Sequence, residues 1–179
     1  VLSHIFGDSI IMVDLFQKNR RRDSMNGNSA RLFSYIVVAD SGFAPNPYHG
    51  KCTLACCKPG IRRSASVGDW VVGLTPKRDG NRLLYGMKVS EILTFAQYWD
   101  DPRFRVKRPD FSSREGMVGD NIYEPLGDGN YKQHRSMHSM HDSRYPHENS
   151  ARFTPQENPE KKDHDLSCER VLISTDFFY

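Results

Sequence analysis

The chain has 179 residues, which is enough for one domain with a sizeable core and leaves little room for a second. Hydrophobic residues make up only 37% of it, but ten Phe and eight Tyr can fill a core, so we expect a folded protein with a polar periphery. No apolar run reaches the roughly 20 residues of a membrane span. Three of the four cysteines are bunched at 52, 56 and 57, unlike a secreted disulfide framework. We therefore expect a cytoplasmic protein with no membrane partner.

The net charge of +3 is unevenly distributed along the chain. Residues 31–119 hold 14 Lys/Arg against 8 Asp/Glu, whereas residues 120–179 hold 7 against 11. A basic half is typical of a domain that meets phosphates. Two solvated faces of opposite sign would give the same counts, so charge alone leaves both interpretations open.

The first 30 residues differ in composition from the rest of the chain. An apolar piece, IIMVDLF at 10–16, precedes a polar and basic run that ends in Asn26-Gly27-Asn28, a turn-forming sequence. We interpret residues 1–30 as an N-terminal extension or arm, and residues 31–179 as a single domain.

Strand patterns dominate the first half of that domain. β-branched and aromatic residues predict strands at 31–39 and 70–74. The alternating pattern at 83–93 predicts a third strand that pairs with the second as a hairpin, kinked or bulged at Gly86. Between the first two strands, residues 53–59 suggest one helical turn that Pro59 ends.

The second half predicts less regular structure. Thr94 is a plausible N-cap for a short helix that Pro102 limits, and the Gly127-Asp128-Gly129 turn predicts a small hairpin. A strand returns at 170–179 and would close the sheet. The predicted fold is α+β: a small, mixed, mostly antiparallel β-barrel with a few short helices and long loops.

The cysteine group is the first candidate site. Cys52, Cys56 and His49 are ligand types that zinc accepts, but a closed site needs four ligands and no second paired motif follows. We therefore expect no metal. The neighbouring basic residues could activate a catalytic thiol, although free cysteines are most often small buried hydrophobes.

A histidine group is the second candidate. His134, His138 and His141 have i, i+4 and i+7 spacing, which would place them on one face of a helix next to Asp142. The surrounding residues are polar on all sides, which favours a loop with solvated histidines.

Aromatic and basic residues of the 40–74 segment form the third candidate. Capture of an unstacked base requires a flat aromatic wall, hydrogen-bonding groups and cations for phosphate. Phe43 lies in a Gly/Pro loop and is expected to be exposed to ligand. The residues predicted to bind ligand are Phe43, Asn46, Tyr48, Arg62, Arg63 and Trp70.

Four runs also carry a family resemblance: SGFAPNPYHGKCTLACCKPGIRRSASVGDWVVG, LLYGMKVSEILTFAQYWDDPRF, GDNIYEP and VLISTDFFY. Over about residues 31–179 the chain resembles the bacterial and phage nucleotide modification associated domain 2 family. The resemblance implies a role linked to modified bases in DNA. It makes Cys52, Cys56 and the 61–70 segment landmarks, whereas Cys57 departs from the family pattern. Separately, residues 68–72 and 85–89 are similar to the hairpin of PUA-like, ASCH and EVE barrels, which bind modified nucleotides.

Our leading hypothesis is a recognition domain that binds a base and phosphate of DNA or of a modified nucleotide through the 40–63 loop. The alternatives are an enzyme that modifies or removes a DNA base, and a protein-protein adaptor in a phage or defence system. The candidate catalytic residues are Cys52, Cys56, Asp120 and His138. We favour binding because the sequence has no phosphate-cradling glycine loop and no HExxH motif. No cofactor is expected, and the sequence leaves the oligomeric state open.

Overall fold

The computed structural model of the protein describes residues 29–140 and 157–179. In these ranges the strands are β1 (Leu32–Ile36), β2 (Cys52–Leu54), β3 (Trp70–Leu74), β4 (Leu83–Lys88), β5 (Glu91–Thr94), β6 (Tyr123–Pro125), β7 (Tyr131–Gln133), β8 (Arg170–Ser174) and β9 (Asp176–Phe178). The helices are α1 (Pro59–Ser64), α2 (Phe95–Asp100), α3 (Arg114–Met117), α4 (Met137–Met140) and α5 (Pro159–Leu166), with 3-10 turns at Lys77–Asp79 and Pro102–Lys107. No helix in the described ranges has the length and apolar character needed to cross a membrane.

The strands form three sheets. Their orders are β1-β3-β4-β9, β2-β8-β5 and β6-β7. The β1–β3 pair is parallel and the other pairs are antiparallel. The predicted α+β, mostly antiparallel class is therefore confirmed. The described strands do not join into a closed barrel, because the last strand divides at Thr175: β8 lies in the middle of the second sheet, and β9 extends the first.

The predicted β3–β4 hairpin is present, but its irregularity lies elsewhere. The register shifts between Gly73 and Leu74 and not at Gly86. Gly86 instead packs against the ring of Phe178. A Cβ added at this position would lie only 2.5 Å from Phe178 Cε1. The predicted third strand also divides, into β4 and β5.

The prediction of a helical turn at 53–59 is wrong. Residues 52–54 form β2, and Pro59 begins α1. Proline is favoured at the first helical position because its missing N–H would have no partner there. Between strand and helix, Cys57 and Lys58 have φ values of 60° and 44°, a left-handed conformation that non-glycine residues rarely adopt. The chain thus makes a sharp strand-turn-helix unit with Cys57 at the turn.

Thr94 is the N-cap of α2, as predicted. Its hydroxyl accepts a hydrogen bond from the Gln97 N–H at 3.1 Å, and the Gln97 side chain accepts one from the Thr94 N–H at 2.9 Å. This reciprocal capping box satisfies two otherwise unpaired backbone donors. The predicted hairpin around residues 127–129 is also present, as β6 and β7.

The core has two apolar clusters. One includes Phe43, Phe95, Tyr123 and Ile173, and the other includes Val71, Tyr85, Met87 and Leu172. Ala44, in the loop between β1 and β2, packs against both clusters. Successive residues of β8 therefore point into different clusters, as the alternation of a strand requires, and the loop at 43–44 fills the seam between them.

A buried carboxylate fixes the start of the first sheet. Asp69 accepts hydrogen bonds from the Arg31 backbone N–H at 2.8 Å, from Arg31 Nη2 at 2.7 Å and from the Ser66 N–H at 2.8 Å. Burial alone would raise the pKa of Asp69, but the hydrogen bonds from Arg31 and Ser66 lower it overall. The carboxylate thereby joins the residue before β1, the loop after α1 and the start of β3.

Asp69→Asn is expected to lower the free energy of unfolding at pH 7 by about 1 to 2 kcal/mol, because its hydrogen bonds involve charged groups. Since the pKa of Asp69 is lower in the folded state, its contribution is present above the unfolded pKa and is lost as pH falls through the folded one. Urea unfolding from pH 6 down to pH 2 should therefore show a shallower acid loss in Asp69→Asn, and in Arg31→Met, than in the wild type. Parallel curves for all three proteins would contradict this assignment.

Gly73→Ala is expected to destabilise the domain by about 1 to 3 kcal/mol, the usual cost of overpacking. A Cβ at Gly73 would lie 2.5 Å from Tyr85 Cδ1 and 2.7 Å from Val37 Cγ2, and Tyr85 is held in place by its hydrogen bond to Tyr35. Gly60→Ala is the matched control, because a Cβ there meets no atom within 4 Å. Urea midpoints should fall for the first variant and stay or rise for the second.

Candidate functional site

Three chemically reactive side chains meet where the β2–α1 turn, α4 and α5 come together. They are Cys57, His138 and Asp165, and one ligand atom from each lies within 4.8 Å of the other two. Cys57 is placed by the sharp turn before α1, His138 by the short helix α4, and Asp165 by the last turn of α5. We call this group the Cys57 cluster.

Asp165 is the buried centre of the cluster. Its Oδ1 accepts a hydrogen bond from the Cys57 N–H at 2.6 Å, and its Oδ2 accepts one from the Tyr123 hydroxyl at 2.8 Å. His138 Nε2 lies 3.1 Å from the same Oδ2. Burial would raise the pKa of Asp165, but the His138 contact and these hydrogen bonds hold it below its usual value. The carboxylate is therefore ionised and fixed in orientation.

His138 is held through its ring by Phe43 and through its backbone by Lys161. Its imidazole stacks on Phe43, with ring centres 4.8 Å apart and planes 15° apart. Lys161 Nζ donates a hydrogen bond to the His138 carbonyl at 2.8 Å. The prediction that Phe43 is exposed is wrong, since only 5% of it is exposed. Phe43 instead forms one wall of the Cys57 cluster.

The Cys57 thiol is half-buried next to this carboxylate. Burial, followed by the charge of Asp165, raises the pKa of Cys57 to about 11, although Lys58 and Lys161 oppose the shift. The sulfur is therefore protonated at neutral pH. A protonated thiol is a weak nucleophile, so the cluster is not a pre-activated cysteine site.

The other cysteines lie in the core. Cys52 and Cys56 have no exposed surface, and burial raises the pKa of Cys52 to about 12 and that of Cys56 well above its usual value. His49 is exposed, and within the described residues His49, Cys52 and Cys56 do not assemble into a three-ligand group. The positions of Cys52 and Cys56 match the interpretation of free cysteines as buried hydrophobes.

Asp120 belongs to a buried polar network. It accepts hydrogen bonds from the Thr53 hydroxyl and from the Tyr98 hydroxyl, both at 2.7 Å. Burial raises the pKa of Asp120, with Lys107 and these donors opposing it. Its two ordered partners and complete burial indicate a structural role rather than contact with a substrate.

Asn46 belongs to the same region, and it too is interior. Lys107 Nζ donates to Asn46 Oδ1 at 2.6 Å and to the Lys51 carbonyl at 2.7 Å, while Asn46 Nδ2 donates to the Val118 carbonyl at 2.7 Å. Burial lowers the pKa of Lys107 to about 8. These contacts connect the 43–53 loop to the segment at 107–120. Asn46 was predicted to contact ligand, but its side chain is buried and stabilises the loop from the interior.

Arg62 is also buried, contrary to its predicted position facing a ligand phosphate. Its guanidinium donates to four backbone carbonyl groups: Cys57 at 2.8 Å, Asp165 at 2.6 Å, Cys168 at 2.6 Å and Arg170 at 2.7 Å. Arg62 has no exposed surface, so it supports the turn and α5 and cannot contact a ligand in this state. Trp70, likewise predicted to bind, is 92% buried.

Other predicted residues lie at or near the surface. Arg63 is exposed and Tyr48 is half-buried. His134 is separate from His138: its Nε2 lies 2.6 Å from Glu124 Oε2, and its ring stacks on Trp99. His134 and His138 therefore do not share one face, and the favoured prediction of a loop with solvated histidines fails for His138, which lies on α4 and stacks on Phe43. The third histidine of the group, His141, lies outside the described residues.

Sequence reasoning noted Cys57 among the bunched cysteines and Lys58 among the basic residues beside them, but it did not bring Cys57 together with Asp165 and Tyr123. Cys57 had a usable signal, because a cysteine between a strand and a Pro-Gly helix start sits at a sharp turn. Asp165 had none, since it lies 108 residues from Cys57 in a polar segment.

Arg62→Ala is expected to lower the free energy of unfolding by about 3 kcal/mol, because several hydrogen bonds to a charged group are lost together. The adjacent Arg63→Ala is the matched control and should change stability by no more than about 0.5 kcal/mol, as for most surface substitutions. Urea or thermal unfolding measures both. Equal effects would contradict the structural role of Arg62.

Comparison with known proteins identifies the family. A family model described as nucleotide modification associated domain 2 matches residues 29–179. Searches of curated proteins and of solved structures found no significant match. The family match spans all three sheets, the 40–63 segment and all three residues of the Cys57 cluster. The chain therefore belongs to the nucleotide modification associated domain 2 family.

Proposed function

We propose that this domain recognises a nucleotide, holding the base and phosphate at the surface of the 40–63 segment. Its family is associated by description with nucleotide modification, and such a role requires that one base be distinguished from another. The excess of Lys and Arg in residues 31–119 supports a ligand that carries phosphate. The proposal keeps the segment predicted from sequence but changes which of its residues contact the ligand.

The observation that carries the proposal is a cation beside a flat ring at the edge of the Cys57 cluster. Lys58 Nζ lies 4.7 Å from the centre of the Tyr35 ring, and both side chains are half-buried. Lys58 directly follows Cys57, so the pair borders the cluster. A nucleotide needs an aromatic surface for its base and a cation for its phosphate. Lys58 lies over the Tyr35 ring, so it would turn toward the phosphate and leave that face of the ring to the base.

Two of the residues predicted from sequence supplement this pair. Tyr48 is half-buried and packs on Gly42, where a Cβ would lie 2.7 Å from the Tyr48 hydroxyl oxygen. Arg63 is exposed and donates to the Ser167 carbonyl at 2.6 Å. Lys58 is the residue before α1 and Arg63 lies in its last turn, so this short helix has one of these cations toward each end.

One observation favours a second function, which is chemistry on the bound base. The Cys57 cluster places a thiol, an imidazole and a carboxylate next to the Lys58–Tyr35 pair, since Lys58 follows Cys57 directly in the chain. Of the catalytic residues predicted from sequence, His138 belongs to this cluster, whereas Cys52, Cys56 and Asp120 are enclosed in the core. In this chain, such chemistry would use Cys57, His138 and Asp165.

Lys58→Ala and Arg63→Ala are each expected to weaken binding of a short fluorescein-labelled DNA strand by about fivefold, the equivalent of roughly 1 kcal/mol. Each should also reduce the slope of log K against log salt concentration by about 1, because one phosphate contact is lost. Tyr48→Leu should lower affinity through lost stacking and leave the slope unchanged. Fluorescence anisotropy across a salt series measures all three effects.

Lys77→Ala is the matched control, since Lys77 is exposed on the turn beyond the end of β3. It should bind like the wild type. The proposal fails if the wild type binds neither single-stranded nor double-stranded DNA nor mononucleotides at low salt, or if the Lys58→Ala/Arg63→Ala double variant keeps the affinity and salt slope of the wild type.

A further inference from the structure

We propose that Cys57, His138 and Asp165 bind a divalent transition-metal ion, with zinc as the expected occupant. The inference goes beyond nucleotide recognition, because metal uptake requires no nucleotide. The Cys57 sulfur, a His138 ring nitrogen and an Asp165 carboxylate oxygen all lie within 4.8 Å of one another. Zinc bonds of about 2.0 to 2.3 Å place tetrahedral ligands roughly 3.3 to 3.8 Å apart. Small side-chain rotations therefore complete the site.

The charges around Asp165 favour a bound cation. The carboxylate is buried, and His138 Nε2 lies 3.1 Å from its Oδ2, while the charges of Lys58 and Lys161 act on the adjacent Cys57. Arg62 approaches Asp165 only at the backbone carbonyl, at 2.6 Å. A buried carboxylate is expensive to leave without a positive partner. A metal ion at this position would neutralise it.

The orientation of His138 gives a second reason. Its Nε2 is buried and makes no aligned hydrogen bond within the described structure, although it lies 3.1 Å from Asp165 Oδ2. Two potential ligand atoms therefore lie side by side without an aligned hydrogen bond between them. A cation bound by both groups would use them, and Cys57 lies within reach of the same ion.

The groups around these ligands resemble the supporting shell of a metal site. The Tyr123 hydroxyl donates to Asp165, and Gln133 Nε2 donates to that hydroxyl at 3.1 Å. The Phe43 ring fixes the plane of the His138 imidazole. Such contacts orient metal ligands and tune their affinity. They also limit how far the ligands must move when a metal binds.

The donor set selects the metal. A sulfur, an aromatic nitrogen and a carboxylate oxygen suit zinc and its neighbours in the first transition series, whereas magnesium and calcium prefer oxygen ligands alone. When the metal binds, the Cys57 thiol becomes a thiolate and its proton passes to the buffer. Three protein ligands leave one tetrahedral position for water or for an atom of a bound ligand, as in catalytic zinc sites.

The test uses the full chain, stripped with a chelator and then titrated with zinc, and separately with cobalt(II) as a spectroscopic probe. We expect one zinc ion per chain, and a cobalt-thiolate charge-transfer band that disappears in Cys57→Ser. His138→Gln and Asp165→Asn should weaken zinc binding by more than about 100-fold. Tyr123→Phe should weaken it by about tenfold, the usual scale of a supporting contact.

Matched controls separate this site from the one considered from sequence. Cys52→Ala and His49→Gln should retain the zinc affinity and the cobalt band of the wild type. The proposal is overturned if the wild type takes up no zinc, if its cobalt complex lacks a thiolate band, or if zinc binding survives in Cys57→Ser and is lost in the Cys52 or His49 variant. The wild-type cobalt spectrum is decisive even if a ligand variant does not fold. DNA binding by the metal-free protein is measured separately, so the nucleotide proposal can fail or succeed independently.

Discussion

The buried guanidinium of Arg62 is the interaction on which the rest of the site depends. It joins the carbonyl of Cys57, at the turn after β2, to the carbonyl of Asp165, at the end of α5. The same side chain reaches two further carbonyls at the start of β8. Uncharged acceptors can solvate a buried cation only when their geometry is fixed, because the cost of desolvating the charge is otherwise unmet. Arg62 therefore sets the separation of two residues of the Cys57 cluster without contacting their side chains.

A second buried cation plays a similar part in the 43–53 loop. Lys107 connects Asn46 to the Lys51 carbonyl, while Asp120 accepts from Thr53 and Tyr98 nearby. The loop that was predicted to open toward a ligand is instead held from within by polar groups. Its interior residues give it shape, and its flanks carry the groups available to a ligand. A well-ordered loop of this kind can recognise a ligand without first being ordered by it.

The sequence predicted those parts of the fold that depend on local patterns. The strand at 70–74 was visible because apolar and β-branched residues run together between turns, and α2 was visible because Thr94 is a favoured N-cap residue and Pro102 limits the helix. The start of α1 was missed because Pro59 can either end or begin a helix. The closed barrel was predicted from a hairpin pattern, which says nothing about how distant strands pair. Local pattern thus gave elements but not their assembly.

The candidate site was less predictable, for two physical reasons. Its parts come from positions 57, 138 and 165, which no periodicity connects. Arginine is also rarely buried unless its donors are all satisfied, so adjacent Arg62 and Arg63 seemed equivalent from sequence. Only the carbonyl groups of a distant helix and strand distinguish them. Phe43 was misassigned for the same reason, because its stacking partner lies 95 residues away.

The central place of β8 also has a consequence for the order in which the domain is made. β2 and β5 pair with β8 and not with each other, and the β2–β8 pairing joins Thr53 to Ile173. A chain leaving the ribosome therefore cannot complete this sheet until residues 170–174 have emerged. Pairings so distant in sequence slow folding, and incomplete chains expose unpaired strand edges. The Cys57 cluster is also completed only after residues 170–174 have emerged, because Arg62 fixes the final positions of α5 and β8 together.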